Sequence, residues 1–118
     1  VLIWLVLFNI DIGEPVKYVE TIVDINPCTY KDKKLTVVDQ FKENELVYIC
    51  GQTNKTNEEV HIMLYDSNKE PIYGYRVTAI DGKIEYRITE DLPSGKYTAE
   101  VIDIRNTYDT MEFVILKQ

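Results

Sequence analysis

Apolar and polar residues alternate along most of this chain. From Lys96 to Val101 the order is Lys-Tyr-Thr-Ala-Glu-Val, so Tyr97, Ala99 and Val101 share one face and Lys96, Thr98 and Glu100 the other. A period of two marks a strand with one face buried. Pro93-Ser-Gly95 ahead of it reads as a turn, in which Pro93 presets φ and Gly95 is free to take a positive one. The same alternation predicts strands over residues 16–25, 35–38, 46–53, 60–65, 72–80, 83–89, 95–104 and 111–116. Within them Val47 and Ile49 face the core while Tyr48 and Cys50 face outward or toward a neighbouring loop. Val60, Ile62 and Leu64 face inward, which turns His61 out. Residues 26–34 read as a polar loop, 40–44 and 105–109 as turns, Asp81-Gly82 as a short hairpin, and Gly74 as a bulge site. No stretch carries the apolar 3.6-residue period and caps of a helix. Short strands at roughly 8–12-residue spacing predict an all-β sandwich.

Residues 1–10 break the alternation: nine of the ten are apolar. The run is half of the roughly 20 residues that a membrane-spanning helix needs, so no stable membrane span is expected. Its length matches the apolar part of a secretory leader, but no basic flank precedes it and no small-residue cleavage site follows. An unbroken run rich in β-branched and aromatic residues suits a strand buried on both faces. Gly13 and Pro15 end it. The chain therefore divides into an apolar N-terminal arm or strand, residues 1–15, and a sandwich, residues 16–118. It opens at Val1 rather than at a methionine, which fits a processed precursor and a cut fragment alike.

Covering one large apolar side chain is worth roughly 1.5–3 kcal/mol, and a bare row of them is an aggregation hazard. Three readings of the arm stand. It is the first strand of its own sandwich, a strand donated to the neighbouring subunit, or the remnant of a leader or anchor. Donation is head-to-tail, does not close, and builds a filament. On that reading the subunit contact is Leu2, Ile3, Trp4, Leu5, Val6, Leu7, Phe8 and Ile10, with Trp4, Leu5, Leu7 and Phe8 as anchors.

The 118 residues suit one domain, and 45% apolar with 28% charged residues is the balance of a folded protein. A net charge of −7 opposes nucleic-acid binding, which needs clustered Lys and Arg. The two cysteines, Cys28 and Cys50, are either one disulfide or two buried thiols; an oxidising, extracellular setting would favour the disulfide. Asn54-Lys55-Thr56 is an N-x-Thr glycosylation acceptor in a predicted turn, and equally an ordinary turn.

Candidate chemistry is sparse. His61 is the only histidine, set mid-strand between apolar neighbours, and reads as a solvent-facing strand residue rather than a base. Glu58-Glu59 and Glu90-Asp91 are adjacent on extended chain, so each pair points to opposite faces and makes no acid/base couple. Asp24, Asp39, Asp66, Asp81, Asp91, Asp103 and Asp109 offer oxygens for calcium, but no EF-hand spacing is present. Neither a metal nor another cofactor is expected, and neither is enzymatic activity. Tyr73, Tyr75, Tyr86 and Tyr97 fill the sandwich or its flanks, with the Tyr97 hydroxyl laid back on a nearby carbonyl.

Several pieces together resemble the immunoglobulin-like modules of prokaryotic surface proteins. They are Leu46-Val-Tyr-Ile-Cys-Gly-Gln-Thr-Asn54, Val60-His-Ile-Met-Leu-Tyr-Asp66, Asp81-Gly82, Leu92-Pro-Ser-Gly-Lys-Tyr-Thr-Ala-Glu-Val101 and Phe113-Val-Ile115. The resemblance is to repeats of archaeal S-layer and adhesin-like proteins and to macroglobulin-like domains, and it covers residues 46–116. It implies an immunoglobulin-like antiparallel sandwich and a place at the cell surface, not a chemistry. The expectation is a secreted structural or adhesive protein that forms a homo-oligomer or polymer, with other surface proteins or glycans as further partners. The competing expectation is a carbohydrate- or calcium-binding accessory module of a larger secreted protein.

Overall fold

The computed structural model describes residues 20–103 and 106–117. The contact residues expected over 2–10, the arm boundary at residue 15 and the first four residues of the strand expected over 16–25 lie outside the described residues; of the rest of that strand, residues 20–22 are not in a strand and only Val23 to Ile25 are, as the start of β1. Nine strands follow: β1 (Val23–Lys31), β2 (Lys34–Val37), β3 (Gln40–Lys42), β4 (Tyr48–Thr53), β5 (Glu59–Tyr65), β6 (Pro71–Thr78), β7 (Lys83–Arg87), β8 (Gly95–Ile102) and β9 (Thr107–Leu116). They form a four-stranded sheet ordered β2-β1-β4-β7 and a five-stranded sheet ordered β3-β9-β8-β5-β6. The all-β sandwich read from the sequence is therefore the fold. Every strand pair is antiparallel but one, β3 with β9, which is parallel.

The inward faces are those that alternation sets. Val60, Ile62 and Leu64 of β5, Tyr97, Ala99 and Val101 of β8, and Met111, Phe113 and Ile115 of β9 are buried against Val23, Ile25, Ile49 and Ile84 of the other sheet. The Tyr97 ring stacks on Phe113 at 5.4 Å between centroids, and its hydroxyl donates to the carbonyl oxygen of Pro93 at 2.6 Å. Asp81 and Gly82 take φ of 52° and 75°, and Ile80 and Lys83 exchange hydrogen bonds of 3.0 and 2.9 Å across them. That is the two-residue hairpin, with the positive φ values that match strand twist.

Three assignments differ. Residues 26–34 are not a loop, because β1 runs through Pro27 and Cys28 to Lys31 and only Asp32-Lys33 turn, with φ of 51° and 67°. Pro27 is tolerated in the strand because its missing N–H falls on the side away from β4. The Ile25 N–H, two residues back, points that way toward Asp109, and the Pro27 carbonyl on that side accepts from Val38 N–H at 3.0 Å. Residues 40–44 are not all turn, since Gln40–Lys42 is β3 and its Phe41 is fully buried edge-on to Phe113. Gly74 is no bulge; it pairs in register with Met63, and the irregularity lies between Leu64 and Tyr65. In addition, β9 starts at Thr107, within the turn expected over 105–109.

Cys28 and Cys50 form a disulfide. Asn26 is the direct partner of Cys50, and Cys28 that of Tyr48, so the bond runs diagonally between neighbouring strands of one sheet. It staples β1 to β4 on the sheet's outer face rather than joining the two sheets.

Candidate functional site

Strand direction sorts the loops into two poles. The entry into β1, the β4–β5 and β6–β7 connections and the ends of β8 and β9 around residues 103 and 106 meet at one pole; β9 runs out at Leu116 at the other. At the entry pole the chain arrives from the N-terminal side and is gripped by Asn54. The Asn54 Nδ2 donates to the carbonyl oxygen of Glu20 at 2.6 Å, and its Oδ1 accepts from Ile22 N–H at 2.9 Å. Its own backbone N–H donates to Ile22 O at 3.2 Å. Three hydrogen bonds thus root the residues that precede β1.

The neighbours of Asn54 lock the same corner. The Gly82 N–H donates to Thr56 Oγ1 at 2.8 Å, and Thr53 N–H donates to Gly82 O at 2.8 Å. Both polar side chains of the predicted glycosylation acceptor are therefore hydrogen-bonded within the fold, while Asn54 stays exposed at the surface. Ile22 is 63% exposed beside them. It borders an open cleft of about 570 Å³ that is also lined by Asp24, Gln52, Asn54, Asp81 and Lys83.

Next to the clamp, Asp109 of β9 reaches over to β1, where its Oδ2 accepts from Ile25 N–H at 2.8 Å. Asp24 lies beside it. Partial burial first, and then the Asp109 carboxylate, hold the Asp24 carboxyl above its ordinary value of 3.8. Farther round the pole, the Tyr108 hydroxyl donates to Asp103, and the Lys55 ammonium stands 5.6 Å over the Tyr108 ring. The arrangement anchors and orients a chain segment through neutral and charged hydrogen bonds.

The other expected residues fall elsewhere or stand apart. His61 is exposed on β5, between Arg76 and Ile102 on the flanking strands. Among the described residues no three His, Cys, Asp or Glu side chains are grouped to hold a metal ion. Glu90 receives the Tyr75 hydroxyl at 2.6 Å, which ties β6 to the segment after β7. Burial, then that carboxylate, push the Tyr75 hydroxyl far above the ordinary tyrosine range. Among the described residues no helix is long and apolar enough to cross a membrane.

Neither the Asn54 clamp nor the Asp24–Asp109 pair is visible in local pattern. The first joins residues 32 and 34 apart and the second backbone contact spans 84. The only local sign is a polar residue at the end of a strand, where side-chain-to-backbone bonds are common. Compared with known families and curated proteins, the chain matches no family model and no curated sequence.

Proposed function

We propose that this is a non-enzymatic, immunoglobulin-like structural or adhesive module of a prokaryotic cell surface, and that it self-associates through residues 2–10. The observation that carries the reading is the Asn54 clamp. It fixes Glu20 and Ile22, which follow the apolar run in the sequence, at one pole of a body whose last strand ends at the other. An apolar run that precedes the strand entering at one pole suits head-to-tail addition, which propagates rather than closes.

The order of strands supports the immunoglobulin-like part. From β4 onward the chain places β4 and β7 in one sheet and β5, β6, β8 and β9 in the other, the distribution of strands B, E and C, C′, F, G. Tyr97 bonds back to Pro93 at the start of β8, as the corner tyrosine of such domains does. The disulfide departs from that pattern by staying within one sheet. It fits an oxidising, extracellular setting.

The experiment is light scattering on the full chain over a hundredfold range of concentration, beside a variant with Leu5→Asp and Leu7→Asp. Mass that grows with concentration in the wild type and not in the variant is expected. A wild type that stays monomeric throughout overturns the reading.

A further inference from the structure

We infer that the strand acceptor for this self-association is the open edge of β6, and that its occupant is residues 2–10 of a second copy. The inference rests on the reading above and adds the address.

Among the described residues the two sheets have four edge strands: β2 and β7 in one, β3 and β6 in the other. Proteins guard such edges with shortness and charge. β2 has four residues beside Lys31, Lys33 and Lys34, and β3 has three, ending in Lys42. β7 carries Lys83, Glu85 and Arg87 among its five residues. β6 is longer and carries one charge, with eight residues and Arg76; its guards, Pro71 and the irregularity opposite Leu64 and Tyr65, are confined to its first residues and leave Gly74 to Thr78 regular. Its flank is apolar: Tyr73 is 38% exposed, and Ile80, just beyond the strand, is 64% exposed.

Among the described residues no strand pairs with the far side of β6. Ala79 N–H donates to Glu58 O at 3.0 Å and Ala79 O accepts from Asn57 N–H at 2.6 Å, so Ala79 faces β5. Alternation then turns the N–H and C=O of Thr78, Arg76 and Gly74 outward. Gly74 adds room, since a Cβ there would only touch the Met63 methyl at 3.6 Å. A bulky side chain of an incoming strand fits over that spot.

Residues 2–10 match what the edge offers. They are nine residues long against eight, carry no charge, and are apolar at every position except Asn9. An uncharged strand laid on β6 places alternate side chains toward Tyr73 and Tyr75 and toward Gly74 and Met63, and its backbone completes the ladder. The second copy is favoured by direction. The chain's own arm, rooted at the pole where β6 ends and laid straight down the edge, runs parallel to β6. A second copy can present it antiparallel, the stronger ladder.

The test is amide hydrogen exchange on the full chain at low and high concentration, with light scattering on the same samples. The variants are Thr78→Pro, Gly74→Lys and the double change Trp4→Asp with Phe8→Asp. Thr78→Pro removes an N–H on the side away from β5 and Gly74→Lys puts a charge on the face an incoming strand would cover; neither takes a backbone bond from β5, which protection of the Val60 and Ile62 amides verifies without reference to assembly. Expected is protection of the Gly74 and Arg76 amides, and of the Thr78 amide where that residue is kept, that rises at least tenfold with concentration and disappears in all three variants. Assembly lost in the arm variant but kept in both β6 variants overturns the β6 address and leaves self-association through the arm standing. Protection of those three amides in the monomer, independent of concentration, overturns the second copy in favour of the chain's own arm. Assembly unaffected in the arm variant removes both.

Discussion

Asn54 Oδ1 accepts the Ile22 N–H at 2.9 Å while Nδ2 of the same side chain donates to Glu20 O at 2.6 Å, so one carboxamide holds the backbone at two residues ahead of β1. A net hydrogen bond at a partly solvated site is worth about 0.5–1.5 kcal/mol. Asn54→Ala is expected to lower stability in urea by about 1–2 kcal/mol and to speed exchange of the Ile22 amide. Asn54→Asp keeps the acceptor for Ile22 and loses the donor to Glu20, so the Ile22 amide remains protected there. Unchanged exchange in the alanine variant contradicts the clamp.

Tyr97 bonds to Pro93 and stacks on Phe113. Tyr97→Phe removes only the hydroxyl and is expected to cost about 1 kcal/mol by denaturant titration. Tyr97→Ala also empties core volume, at about 3–5 kcal/mol. Equal losses for the two variants contradict a separate role for the hydroxyl.

Gly51 lies where β4 passes β1, and a Cβ there would collide with the carbonyl of Asp24. That obstacle is backbone, and it cannot swing aside as a side chain does. Gly51→Ala is expected to cost about 1–3 kcal/mol as an overpacking change, read as a lower melting temperature. A variant as stable as the wild type contradicts the close approach.

These features differ in how far they can be read from residues alone. The turn at Asp81-Gly82 and the Tyr97 bond are local, four residues or fewer, and pattern reveals both. Phe41 and Pro27 mislead for opposite reasons. Phe41 is flanked by turn-forming and charged residues, and only β9, more than seventy positions later, supplies the partner that makes Gln40–Lys42 a strand. Pro27 looks like a breaker until its missing N–H is seen to fall on the side away from β4. The disulfide partners follow from there being two cysteines, but the diagonal register that keeps the bond in one sheet comes from β1–β4 pairing. The Asp24–Asp109 pair and the Asn54 clamp depend on how the poles close, which no periodicity encodes.

The carboxyl pair gives a pH prediction. Burial and the nearby Asp109 raise the Asp24 carboxyl above 3.8, so the folded state binds this proton more tightly than the unfolded chain does. The stability it contributes is complete below 3.8 and is lost as pH rises through the raised value. At pH near 7 the two carboxylates repel. Asp24→Asn is expected to melt higher than the wild type at neutral pH, with the gap narrowing as the pH falls toward 4. A gap that is constant or widens on acidification contradicts it.

The proposed joining of one sandwich to the next rests on the apolar N-terminal segment. Electron micrographs of the full chain beside the Trp4→Asp, Phe8→Asp double variant test it most directly. Fibres of the wild type and discrete single particles of the variant are predicted. Discrete particles from both, or fibres from both, contradict it.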